Sequence, residues 1–178
     1  KMKNLEQETS CRIYVACLAA YNAGHLHGEW IDCEEKDADE IREAIAGVLK
    51  TSPEPNAEEW AVHDHEGWHG LINSEWPEAE KLAEWAELIA EHGEAFAMYG
   101  GHIGSDYATA EGFEDAYRGK WDSFQDYVEQ TCEDIGYLEN VPEHIQSHID
   151  WESVAREWSY DHFEEDATGG GVYIFSNN

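Results

Sequence analysis

Residues 76–96 read WPEAEKLAEWAELIAEHGEAF. Pro77 stands near the start, where its missing N–H costs a helix nothing. At 100° per residue, Leu82, Trp85, Ala86, Ile89 and Phe96 gather on one side. Glu80, Glu84, Glu87, Glu91 and Glu94 gather on the other, spaced 4, 3, 4 and 3. The stretch predicts an amphipathic helix with an apolar stripe and a line of carboxylates, one about every 5 Å along the axis. Gly100, Gly101 and Gly104 end the pattern. A second helical stretch, over 106–116, is expected to pack on the first.

On either side the periodicity changes. Residues 12–18, RIYVACL, are β-branched and apolar enough for a strand. Asn22-Ala23-Gly24 signals a turn, and 25–33, HLHGEWIDC, alternates as a second strand does. Asp37 and Glu40 have the spacing of a capping box, opening a helix with Ile41, Ile45, Val48 and Leu49 on one face. Pro53 and Pro55 end it, and EEWAVHD (58–64) reads as a third strand. Beyond the acidic helix, AYRGKW (116–121) reads as a strand, and Phe124, Tyr127 and Val128 share a helical face. Pro142 opens a helix carrying Ile145 and Ile149, and Trp151, Val154, Ala155 and Trp158 continue a helical pattern. Gly169 to Gly171 make a turn before a closing strand, VYIF (172–175). The fold class is therefore α/β in the α+β sense, with small sheets and helices at both ends. Three domains are expected: an α/β unit over 10–73, an acidic helical middle over 74–114, and a second α/β unit over 115–178.

Among the 178 residues, 42% are hydrophobic and 12% aromatic, so the chain can build cores. Its charge is extreme: 40 Asp and Glu against 10 Lys and Arg, a net −30. Such a chain repels nucleic acid and anionic membranes and attracts strongly basic partners. Six Lys and four Arg cannot form a basic patch on that background, which excludes ordinary nucleic-acid binding. No run of apolar residues is long enough to span a membrane. The opening KMKNLEQETS lacks the apolar core of a secretory signal. Cys11, Cys17, Cys33 and Cys132 form no CxxC pair, as expected of reduced, buried thiols in a cytoplasmic protein.

The stretch AVHDHEGWHG (61–70) raises the question of a metal. His63, His65 and His69 supply the three ligands that a catalytic zinc needs, with Asp64 or Glu66 as base. On a strand, however, 63 and 65 face one way while 64 and 66 face the other. HIQSH (144–148) has helical spacing for zinc but lacks the glutamate of HExxH. GxSxG, P-loop and GxGxxG motifs are absent. The expectation is no enzyme, no metal and no cofactor. A metal-dependent hydrolase built on the three histidines stands as the alternative, beside a salt-adapted acidic domain with no dedicated partner.

The acids recur in every segment: Glu34, Glu35, Asp37 and Asp39; Glu66; the Glu80–Glu94 line; Glu111, Glu114 and Asp115; Asp122, Asp126, Glu129, Glu133 and Asp134. Duplex DNA carries one charge per ~1.7 Å of axis and one per ~3.4 Å along each strand. Carboxylates every ~5 Å fall in the same range, and net −30 matches roughly 50 Å of duplex. Phosphate contacts set register and carry no sequence information, so a groove built for phosphates accepts carboxylates at such spacing.

Three blocks then carry a likeness: RIYVACLAAYNAGHLHGEWID, EEWAVHDHEG and IDWESVAREW. They resemble the ArdA family of antirestriction proteins. The first block is the most specific, with aromatic-V-A-x-L, Y-N-x-G and L-x-G-x-W. In the second, Asp64 and Glu66 match the family pattern and the extra histidines do not. The resemblance implies a non-enzymatic DNA mimic, encoded on mobile genetic elements, that inhibits type I restriction-modification enzymes at their methyltransferase and specificity core. It implies an elongated homodimer joined through its third domain. Here that contact is expected on Leu138, Val141, Ile145, Ile149 and Trp151, where the apolar run exceeds what so small a unit needs.

Overall fold

The computed structural model describes residues 10–177. The opening segment read above for a secretory signal lies outside them, apart from Ser10. The chain divides into two compact units, the first reaching Tyr107 and the second starting at Ala108.

In the first unit, β1 (Arg12–Cys17) pairs antiparallel with β2 (Gly28–Asp32) on one side and β3 (Trp60–Glu66) on the other. The five-residue helix α1 (Leu18–Asn22) and a turn at Gly24 connect β1 to β2. Ile13, Val15, Ile31 and Cys33 are buried on one face of the sheet. The helix α2 (Ala38–Lys50) covers that face with Ile41, Ile45 and Val48, all buried. Its start is fixed as the sequence predicts. The Asp37 carboxylate accepts the Glu40 N–H at 2.9 Å, and the Glu40 carboxylate accepts the Asp37 N–H at 3.0 Å. The outer edge of β3 is covered. Val62 N–H donates to the Glu75 carbonyl at 2.8 Å, and the Trp76 indole donates to the Trp60 carbonyl at 2.7 Å.

The helix expected over 76–96 is two helices, α3 (Ala79–His92) and α4 (Glu94–Ile103). Gly93 separates them with φ +69° and ψ −162°, a conformation that residues with side chains avoid. Leu82, Trp85 and Ala86 are buried on α3, while Phe96 is buried on α4. α3 packs against α2 within the first unit. A 3-10 turn, Ser105–Tyr107, closes the unit. Among the described residues Ser105 is the one buried polar side chain; its hydroxyl accepts from Asn73 at 3.2 Å.

The second unit runs α5 (Ala110–Ala116), β4 (Tyr117–Trp121), α6 (Phe124–Asp134), α7 (Glu143–Gln146), α8 (Trp151–Trp158), β5 (His162–Asp166) and β6 (Val172–Ser176). β6 lies between β4 and β5, antiparallel to both. Thr109 caps α5 and Ser123 caps α6, each accepting a backbone N–H at 3.1 Å. Tyr127, Val128, Cys132 and Ile174 form the core, with Trp121, Phe124, Trp151, Val154 and Trp158 packed around it. Two details depart from the sequence reading. HFEED (162–166) is a strand, held by its ladder to β6 and by Phe163 stacked on Phe175 at 4.9 Å. The helix opened by Pro142 stops at Gln146, leaving Ile149 outside it.

Candidate functional site

The carboxylates are placed by helices whose opposite faces build the cores. On α3, Glu80, Glu84, Glu87 and Glu91 are exposed, across the helix from Leu82, Trp85 and Ala86. Arg42 of α2 bridges Asp39 (2.8 Å) and Glu80, and Lys81 stands 3.4 Å from Glu84. Glu94 leaves the line. It lies beyond the Gly93 break, on α4, half-buried, 3.8 Å from the His69 ring. The line on α3 is therefore four carboxylates long, not five.

A second line runs along α6, beginning two residues before it at Asp122. Asp122, Asp126, Glu129 and Glu133 repeat the 4, 3, 4 spacing of Glu80 to Glu91. They border a groove of about 540 Å³ with Trp121, Leu138 and Trp151. Neighbouring side chains hold them in place. Ser123 donates to Asp126 at 2.6 Å, Gln125 to Glu129 at 2.7 Å and Gln130 to Asp134 at 2.9 Å. The sequence reading named these acids without noticing their common spacing, which was there to be counted. Glu111, Glu114 and Asp115 are exposed on α5, away from buried Phe113 and Ala116.

The acids near the first sheet are more occupied. Asp37 caps α2, and Glu34 accepts the Cys11 N–H at 3.3 Å. Glu35 is exposed, with φ +57°. Arg12 meets Glu66 through two guanidinium nitrogens, at 2.8 and 2.6 Å, and lies 4.6 Å from the centre of the Trp30 ring. Glu66 therefore presents little uncompensated charge. In the second unit, burial first and then the Asp166 charge hold the Glu164 carboxyl above its ordinary value.

The three histidines of AVHDHEGWHG do not converge. Tyr14 pairs with Asp64 but Val15 with Val62, so His63 is an extra residue that bulges the strand and breaks the expected alternation. His63 meets Tyr21 edge-on at 5.1 Å, His65 is exposed, and His69 turns with φ +47° toward Glu94. Among the described residues no three His, Cys, Asp or Glu side chains stand together to hold a metal ion. His144 and His148 do not share a helix, because α7 ends between them. The residue that organises this stretch is Trp68, which the sequence reading passed over. It is fully buried, and its indole donates to the Arg12 carbonyl at 2.9 Å.

All four cysteines are free and buried. Burial, then the neighbouring acids Glu34 and Asp32, pushes the Cys11 thiol up to about 12; burial and Asp32 do the same for Cys33. Among the described residues no helix is long and apolar enough to cross a membrane.

The residues expected at a dimer contact lie in the second unit. Ile145 is exposed; Leu138, Val141 and Ile149 are half-buried. Trp151 is half-buried, packs against the core of its own unit and borders the groove beside α6. Ile135, Tyr137 and Tyr160 are also exposed, and neither α7 nor α8 fully buries a residue.

A search of curated proteins returns no significant match. The family model described as Antirestriction protein (ArdA) matches residues 13–171. That span runs from the second residue of β1 to the last residue before β6, and includes both acidic helices. The chain belongs to the ArdA family of antirestriction proteins.

Proposed function

We propose that this antirestriction protein works as a DNA mimic, occupying the DNA-binding groove of type I restriction-modification enzymes and inhibiting them stoichiometrically. The observation that carries the reading is the pair of carboxylate lines, Glu80 to Glu91 on α3 and Asp126 to Glu133 on α6, the second preceded by Asp122 at the same interval in sequence. Each places a charge about every 5 Å, against ~3.4 Å for phosphates along a DNA strand. Few cations answer them: Arg42 and Lys81 touch the first line, and hydrogen-bonding amides and a hydroxyl orient the second. A basic groove evolved to hold phosphates meets the same sign of charge at similar intervals.

The partner is the methyltransferase and specificity core of the enzyme. The protein acts in the cytoplasm, where that enzyme works, and needs no catalytic group or cofactor of its own. A homodimer formed through Leu138, Val141, Ile145, Ile149 and the exposed side of Trp151 doubles the acidic surface presented. The division into three parts, with an acidic helical middle over 74–114 between two sheet-bearing parts, belongs to the same proposal.

The test is competition. A fluorescent duplex carrying a type I recognition site is bound to its methyltransferase, and the protein is titrated in at two salt concentrations. Displacement near one dimer per enzyme, weaker at the higher salt, is the expected result. Failure to displace the duplex at any ratio refutes mimicry of this enzyme's DNA.

A further inference from the structure

The two edges of the first sheet are treated differently. β3 is closed by the backbone of Glu75 and the indole of Trp76. β2 is open. Cys33 N–H donates to the Cys11 carbonyl and Cys17 N–H to the His27 carbonyl, so the odd-numbered residues of β2 bond to β1. By the alternation of an antiparallel ladder, the N–H and C=O of Gly28, Trp30 and Asp32 point outward along the free edge. Beside that edge runs a groove of about 510 Å³ between β2 and α2. Glu29, Ile31 and Asp32 line its strand side, Lys36 is the one cation on its wall, and Ala44, Gly47 and Thr51 line its helix side. α3 packs against α2 as well, and Arg42, which reaches Glu80, lies on the flank of α2 away from these three residues.

We propose that this edge and groove accept an extended, basic segment of a partner protein as a fourth strand of the sheet. Backbone hydrogen bonds from Trp30 and Asp32 would hold the segment, and its alternate side chains would enter the groove under α2. The small residues at 44, 47 and 51 leave room for them. Charge selects the occupant. Against the single cation Lys36, Glu29 is exposed in the groove, Asp32 stands at its end, and Glu40 lies one turn before Ala44 on the same flank of α2. Lysine or arginine in the added strand meets these carboxylates. A second copy of this chain, at net −30, brings like charge to the same edge. The binding mode goes beyond phosphate mimicry, since it uses main-chain geometry, and it does not depend on which enzyme the protein inhibits.

The probe is a fluorescein-labelled peptide of alternating Lys and Val. Its counterpart carries N-methyl groups on alternate residues, keeping every charge but removing the donors of one edge. With the full chain, the parent peptide is expected to bind about 10-fold or more tightly than the methylated one. Binding is expected to protect the Trp30 and Asp32 amides from hydrogen exchange. Gly47→Trp fills the groove from a position where an added Cβ meets nothing within 4 Å, and an unchanged circular dichroism melt establishes that the variant folds. It should abolish the preference, and Gly47→Ala should keep it. Equal binding of the two peptides, or no binding of either, overturns the proposal. So does a β2-mediated self-association that Gly47→Trp removes. None of these outcomes bears on the duplex competition above, which tests the acidic lines separately.

Discussion

Replacing Glu84, Glu87 and Glu91 of α3 together by lysine reverses the middle and end of one carboxylate line. All three are exposed; Glu84 stands 3.4 Å from Lys81 and Glu91 stands 3.8 Å from the His92 ring. Exposed substitutions of this kind change stability by roughly 0.5 kcal/mol or less each. A lysine at 91, in the last turn, also suits the helix dipole. The variant should therefore fold. At a basic partner, each reversal removes one attraction and adds one repulsion. Exposed pairs contribute ~0.2–1 kcal/mol, so a reversal costs about 1 kcal/mol and three cost about 3 kcal/mol, roughly 100-fold in affinity at low salt. The corresponding triple glutamine variant removes only the attractions and should lose about 10-fold. Thermal melting by circular dichroism establishes folding, and displacement of fluorescent duplex from a type I methyltransferase measures inhibition. If the folded lysine variant displaces duplex as well as the parent, α3 is not the contact surface.

Gly28→Ala tests the packing of β2 on β1. A Cβ there would stand 2.6 Å from the Val15 carbonyl oxygen and 2.8 Å from the Tyr14 ring, so chemical denaturation should show a loss of about 1–3 kcal/mol. Glu164→Gln tests the carboxyl that burial and Asp166 hold above its ordinary value. A raised folded value means the stabilising contribution is complete below the ordinary Glu pKa and is lost as pH rises through the raised one. The glutamine variant should be more stable than the parent at pH 7 and show no advantage below about pH 4; an advantage independent of pH would refute the electrostatic cause. Self-repulsion at net −30 predicts a melting temperature that climbs between low salt and ~0.5 M monovalent salt, and a flat or falling profile would mean the charges are already compensated.

What could be read from the residues beforehand depended on how local the cause was. The Asp37–Glu40 capping box, β1 and the buried stripe of α3 follow from neighbours in sequence, and they stand where the pattern puts them. The break at Gly93 does not, because helical periodicity continues across it and only the backbone angles reveal the turn. β5 was invisible for a related reason. HFEED has little strand propensity, and its order comes from β6 and Phe175, distant in the chain. In AVHDHEGWHG the histidines drew attention through metal-ligand spacing, yet a one-residue bulge at His63 scatters them. The tryptophan in the same stretch closes the sheet onto Arg12, more than 50 residues away. Trp151 lies half-buried against the core of its own unit, a contact between residues distant in the chain that no local pattern announces. The acid lines were half legible: spacing along one helix can be counted, but Glu66 and Arg12 meet only in the folded sheet.

Ser105 is the one polar side chain buried among the described residues, and no Asp or Glu among them is buried. Apart from acids that cap or pair, such as Asp37, Glu40 and Glu66, folding and charge are thus written in separate sets of positions. A lineage can exchange Asp for Glu, or move an acid by one turn of helix, without opening a cavity or stranding a charge in the interior. Selection by a basic target would then act on the field as a whole and leave each acid's address free to wander. Sequences descended from a common ancestor should accordingly stay alike in turns and apolar positions while their acidic stretches diverge, like handwriting that changes while the message is kept.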